Sequence, residues 1–131
     1  MVCLAPADAP PRSLLVVDDD AGMLDTLVDI LEAKGYEVTA AGSGEAGIQH
    51  VQARAFHLAL IDIQMPGLDG VETLEAVRAI APALPVVLMT AYMRHDLVGR
   101  AQRALTILPK PLNMTDMLAL IEATVGRPAI R

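Results

Sequence analysis

The sequence has little cysteine, little positive charge, few histidines and no long apolar run. The single cysteine, Cys3, rules out an internal disulfide and a structural metal cluster of thiolates, and its isolation is the usage of a reducing, cytoplasmic compartment. Ten Lys and Arg stand against sixteen Asp and Glu, a net charge of −6, so the basic footprint needed to contact a phosphate backbone is absent. Direct binding of nucleic acid by this chain is not expected. The longest apolar runs, such as residues 85–89, are of strand length and end at polar residues, too short for a membrane span. His50, His57 and His95 are scattered, which gives no support to a histidine metal site and leaves surface or helix-end positions as their expected places. Met65, Met89 and Met93 are expected in loop and core packing.

What is present is a chain of 131 residues, 53% apolar, the size of one domain with one core. The first twelve residues hold Pro6, Pro10 and Pro11 and read as a flexible leader, too short and broken for a signal peptide. From there, short aliphatic runs alternate with segments of helical period, the pattern of a parallel sheet covered on both faces. The runs at 14–17, 37–40, 58–61, 86–89 and 106–108 are the expected strands. Leu24, Leu27, Val28 and Leu31 keep the i, i+3, i+4, i+7 rule of a first helix, and Met117, Leu120, Ile121 and Val125 form a similar stripe in the last. Weaker patterns predict helices over 43–53, 70–80 and about 96–104, the last being the least regular. Five such units have room for one doubly wound α/β sheet. The core domain is therefore expected over 13–125, with Gly126, Arg127 and Pro128 ending the last helix and 126–131 as a tail.

Right-handed crossovers put every strand's carboxyl end on one edge, where ligands of such sheets bind. Asp18, Asp19 and Asp20 follow the first strand, Asp62 ends the third, Thr90 follows the fourth, and Lys110 with Pro111 follows the fifth. Taken singly, the aspartates are helix caps, Thr90 a turn residue and Lys110 a surface lysine. Together on one edge they describe a site. Asp18, Asp19 and Asp62 would repel one another unless a cation lay among them, and Mg2+, a hard ion that keeps several waters, suits such a set. A carboxylate there can attack phosphorus, with a lysine and a hydroxyl meeting the transferring oxygens.

The segments Leu15-Val16-Val17-Asp18-Asp19-Asp20, Ile61 through Gly70, Met89-Thr90-Ala91 and Pro109-Lys110-Pro111 resemble the receiver domain of two-component response regulators, in order and nearly in spacing. The resemblance implies a flavodoxin-like (βα)5 fold with strand order 2-1-3-4-5. It also implies that Asp62 is the phosphoacceptor and that Asp18, Asp19, Asp62 and the backbone carbonyl of Gln64 hold Mg2+. Thr90 and Lys110 would bind the phosphoryl group, the Lys110–Pro111 peptide would be cis, and Asp20 would begin the first helix. The implied donor is a sensor histidine kinase or phosphotransfer protein, or a small donor such as acetyl phosphate. The implied output face, also the surface for a homodimer, is that of the fourth helix, fifth strand and fifth helix. Such a chain stands alone or is the amino-terminal part of a larger regulator.

Three features depart from the family pattern. Ile107 stands where members often carry Tyr or Phe, which leaves an aromatic switch without its ring. The stretch from Thr90 to Lys110 is about two residues short, roughly half a helical turn. Gln64 and Tyr92 occupy the positions that tune phosphoryl lifetime, where an amide and an aromatic ring are expected to shield the group from water.

Three rival readings are weaker. Gly42-Ser43-Gly44-Glu45-Ala46-Gly47 is a literal G-x-G-x-x-G, but it follows the second strand of a short chain and is expected to be a turn with Ser43 as helix cap. A phosphatase resembling the haloacid dehalogenases would need an acid two residues after the nucleophile, where Gln64 stands. A degenerate receiver serving only as an adaptor would not need the full set of pocket residues.

Overall fold

The structure is a computed structural model, described here for residues 12–92, 99–101 and 104–126. Five parallel strands form one sheet in the order β2-β1-β3-β4-β5. They are β1 (Ser13–Val17), β2 (Glu37–Ala41), β3 (Leu58–Asp62), β4 (Val86–Thr90) and β5 (Thr106–Pro109). Helices α1 (Ala21–Ala33), α2 (Gly44–Ala53), α3 (Gly70–Ile80) and α4 (Met114–Val125) complete the described elements. The expected fold class and strand order are those observed. Gly99 and Arg100 are helical, and the rest of the helix expected over 96–104 lies mostly outside the described residues, as do His95, Met93 and the leader through residue 11.

The central strands β1, β3 and β4 are buried along their whole length, as strands covered on both faces must be. Alternate residues feed two cores. Leu15, Val17, Ala59, Ile61, Val86 and Leu88 face Val51 of α2 and Val71, Leu74 and Val77 of α3. Leu14, Val16, Leu58, Leu60, Val87 and Met89 face Leu27 and Leu31 of α1 and Met117 and Ile121 of α4. Each fully buried side chain of this size stabilises the fold by about 1.5–3 kcal/mol. The helices are thereby held with their amino termini near one sheet edge.

Local chemistry starts each helix, and at α1 and α2 it is the cap the sequence predicts. Asp20 caps α1 by accepting from the Met23 N–H, and Asn113 caps α4 by accepting from Asp116. Ser43 caps α2 through the Ala46 N–H, so the glycine-rich segment is a strand-to-helix turn and not a nucleotide cradle. Gly47 is small for packing, since a Cβ there would meet Val17 Cγ2 at 2.8 Å. Gly126, at φ +83°, ends α4 as expected.

At α3 the cap is a full capping box. Asp69 Oδ1 accepts from the Glu72 N–H at 2.8 Å, and Glu72 Oε1 accepts from the Asp69 N–H at 3.0 Å. Asp69 Oδ2 also pairs with Arg100 at 3.1 Å. The spacing Asp69-x-x-Glu72 announces this motif, beside the apolar period that marks the helix itself. Asp69→Ala is expected to cost about 1 kcal/mol, measured by urea denaturation. The exposed Arg100 pair adds little to that figure.

Candidate functional site

The strand ends bring the predicted residues together. Asp62 is the last residue of β3, paired in register with Met89, and Thr90 is the last of β4, paired with Pro109. Asp18 and Asp19 follow β1, and Lys110 follows β5 through a cis peptide to Pro111, as the motif implies. Strands β3 and β4 thus run one residue further than their apolar runs. The ladder is made by backbone groups, which Asp62 and Thr90 supply as well as an aliphatic residue does.

Within this edge, Asp18 is fully buried, Asp62 is 4% exposed and Asp19 faces solvent. One carboxylate oxygen from each lies within 4.8 Å of the others. The Lys110 ammonium reaches over from β5, 2.9 Å from Asp18 Oδ2 and 3.4 Å from Asp62 Oδ1. The short hydrogen bond therefore goes to Asp18, and the second contact is an ion pair of looser geometry. Asp18 Oδ1 accepts from the Asp20 N–H at 2.9 Å, which fixes the Asp18 carboxylate. Asp62 Oδ1, by contrast, is buried without a hydrogen-bond partner.

That imbalance sets the electrostatics. Burial and the charge of Asp18 push the Asp62 carboxyl from 3.8 up to about 6, and Lys110 with the Gln64 N–H pulls it only part of the way back. For Lys110, burial works against the charge, but the hydrogen bond to Asp18 and the two carboxylates outweigh it and raise the ammonium above its usual value. The lysine is thus held as a cation. A buried carboxylate oxygen without a partner, beside two further carboxylates, has the donor chemistry of a hard divalent cation, and a single lysine does not balance the three negative charges. The residues present fit Mg2+.

Thr90, 1% exposed, has its hydroxyl fully engaged. It lies 2.9 Å from Gln64 Oε1 and 3.0 Å from both the carbonyl and the N–H of Tyr92. The same Gln64 oxygen accepts from the Ala91 N–H at 3.2 Å. The sequence signals Gln64 through its backbone carbonyl and as a shield, but not this side-chain contact with a residue 26 positions away. Tyr92 is 68% exposed, so its ring stands in solvent rather than over Asp62.

Residues 14–122 match the response regulator receiver domain family. The chain belongs to that family. The transcriptional regulatory protein ZraR of Escherichia coli K12 is 38% identical to the receiver over 115 residues, covering 86% of this chain and 26% of its own length. The receiver thus spans about a quarter of the length of that relative. Among solved structures, a CheY-like receiver domain protein from Methanospirillum hungatei is similar with a TM-score of 0.86 and 31% identity, covering 88% of this chain and 94% of that one. The response regulator TrrA of Thermotoga maritima, solved in complex with Mg2+ and BeF, has a TM-score of 0.81 and 26% identity over 86% of this chain and 98% of that one. The receiver is accordingly a signalling domain, and among its described residues no helix is long and apolar enough to cross a membrane.

Proposed function

We propose that the receiver accepts a phosphoryl group on Asp62, with Mg2+ held by Asp18, Asp19, Asp62 and the backbone carbonyl of Gln64. The observation that carries this reading is the buried, unpartnered Asp62 oxygen lying between two carboxylates and a lysine held as a cation. When bound, Mg2+ supplies charge neutralisation for the carboxylates and for the oxygens of the group in transfer.

The chain's own residues do the rest. An Asp62 carboxylate oxygen attacks phosphorus, forming an acyl phosphate O–P bond. The bond from phosphorus to the donor breaks, to imidazole nitrogen in a phosphohistidine or to carboxylate oxygen in acetyl phosphate, and the electron pair leaves with the donor. Lys110, 3.4 Å from Asp62 in the free protein, is near enough to move its ammonium from Asp18 onto a phosphoryl oxygen. Thr90 offers its hydroxyl proton to another. Gln64 has no acidic proton to give a leaving group, which supports an acceptor over a phosphatase of the haloacid dehalogenase type.

We assign the donor role to a histidine kinase or phosphotransfer protein in the cytoplasm, and the receiver to residues 13–125. The phosphoryl group adds about −1.5 to −2 of charge at an edge already rich in carboxylates, drawing Thr90 and Lys110 toward it. Lys110 links that movement to β5 and so to the face β5 shares with α4, which would carry the signal to a partner, a second copy or an attached output domain. With Ile107 half-buried against the core, the movement is carried by the strand and loops and not by an aromatic ring.

Consumption of acetyl phosphate followed by phosphorus NMR tests the reading. Wild-type protein with Mg2+ is expected to accelerate loss of the donor, through repeated formation and hydrolysis of the acyl phosphate. Asp62→Asn, or wild type with the metal chelated, should match the protein-free rate. Equal acceleration by Asp62→Asn would overturn it.

A further inference from the structure

We propose that the side-chain amide of Gln64 is a latch that holds Thr90 and Ala91 in the unphosphorylated arrangement and competes with the phosphoryl group for the Thr90 hydroxyl. This rests on the acceptor reading of Asp62. It assigns a positioning role to a side chain that does not itself receive or transfer the group.

The case is one of counting protons. A threonine hydroxyl has one donor hydrogen and accepts with its lone pairs. In the receiver, Thr90 Oγ1 accepts from the Tyr92 N–H at 3.0 Å, and its single hydrogen has two acceptors within reach, Gln64 Oε1 at 2.9 Å and the Tyr92 carbonyl at 3.0 Å. A phosphoryl oxygen on Asp62 needs that same hydrogen. Binding it therefore breaks whatever bond the hydroxyl makes in the free protein.

Gln64 is placed to oppose the change at two points, because its oxygen also accepts from the Ala91 N–H at 3.2 Å. The orientation of the amide follows from that pair, since only its oxygen can accept from a backbone N–H. One atom from the loop after β3 thus bridges the last residue of β4 and the first residue beyond it. Thr90 cannot turn to a phosphoryl group without giving up this bridge or dragging the Gln64 side chain along. The backbone carbonyl assigned to the metal is unaffected by a change in the Gln64 side chain, and the residue is exposed, so substitutions there should fold.

Gln64→Met keeps the length of the side chain and removes the strong acceptor. The probe is beryllium fluoride with Mg2+, titrated against isotope-labelled protein and followed by amide NMR. With the Tyr92 carbonyl left as the one competing acceptor, Gln64→Met should tighten the apparent affinity about 3-fold, the worth of part of a neutral hydrogen bond. The Ala91 amide should exchange faster with solvent in the ligand-free variant. In a Thr90→Ala background the gain from Gln64→Met should shrink below about twofold, whereas in Thr90→Ser, which keeps the hydroxyl, it should persist. If Thr90→Ala does not fold, the Thr90→Ser pair and the Ala91 exchange rate decide. Equal or weaker binding by Gln64→Met, or an undiminished gain without the Thr90 hydroxyl, would overturn the latch. No binding by wild type would instead remove the acceptor reading on which it stands.

Discussion

In metal-free buffer at pH 8, Asp62→Asn is expected to be more stable than wild type by about 2–3 kcal/mol, and at pH 4 the two should differ little. The basis is linkage. Asp62 titrates at about 6 in the folded chain against 3.8 for an ordinary aspartate, so the folded state binds its proton more tightly than the unfolded state does. Stability from this group is fully present below pH 3.8 and is lost as pH rises through about 6. The whole interval corresponds to about 3 kcal/mol. The amide carries no charge to bury, so it escapes the loss. Urea denaturation of both chains across pH 4 to 8 checks the sign. A variant less stable than wild type at pH 8 would show that Lys110 outweighs Asp18 and burial, the reverse of the ordering found. Saturating Mg2+ should narrow the gap by stabilising the wild type more than the variant, since the variant lacks one carboxylate of the site.

The second large effect is expected at Gly70, the first residue of α3. A Cβ there would lie 2.4 Å from the Asp62 carbonyl oxygen, 2.7 Å from Ile63 Cα and 2.9 Å from the Asp62 carbonyl carbon. All three are backbone atoms of the segment that carries Asp62, so no side-chain rotation can relieve the contact. The Gly70 N–H also donates to Ile63 O at 2.9 Å, locking the helix start against the strand end. Gly70→Ala is expected to destabilise by about 3 kcal/mol and to disturb the position of Asp62. Gly42→Ala, where an added Cβ meets nothing within 4 Å, is the control and should stay within about 0.5 kcal/mol of wild type by the same denaturation assay. Similar losses at both glycines would mean that chain stiffness, and not the close approach to β3, governs the effect.

These two sites show how the sequence discloses structure unevenly. The sheet was legible because parallel strands buried on both faces write themselves as unbroken apolar runs, as β1, β3 and β4 do. Helix α3 was legible to the residue, 70–80, since Gly70 and Ile80 bracket its stripe. The ends of β3 and β4 were not, because a hydrogen-bonded ladder continues through Asp62 and Thr90 whatever their side chains. Likewise, topology alone collects Asp18, Asp19, Asp62, Thr90 and Lys110 on one edge. Which atom bonds which is another matter. That Lys110 donates its short bond to Asp18, 92 residues away, while Thr90 is tied to Gln64, depends on loop geometry that no periodicity encodes. The capping box at Asp69 and Glu72 is an intermediate case, written in the sequence yet masked by the acidic and glycine motif around it.

The identity of the acceptor is tested most directly by intact-mass measurement after incubation with acetyl phosphate and Mg2+. The wild-type chain should gain the mass of one phosphoryl group, and the gain should be absent from Asp62→Asn and from wild type with the metal chelated. An equal gain in Asp62→Asn, or none in wild type, would contradict the assignment of Asp62.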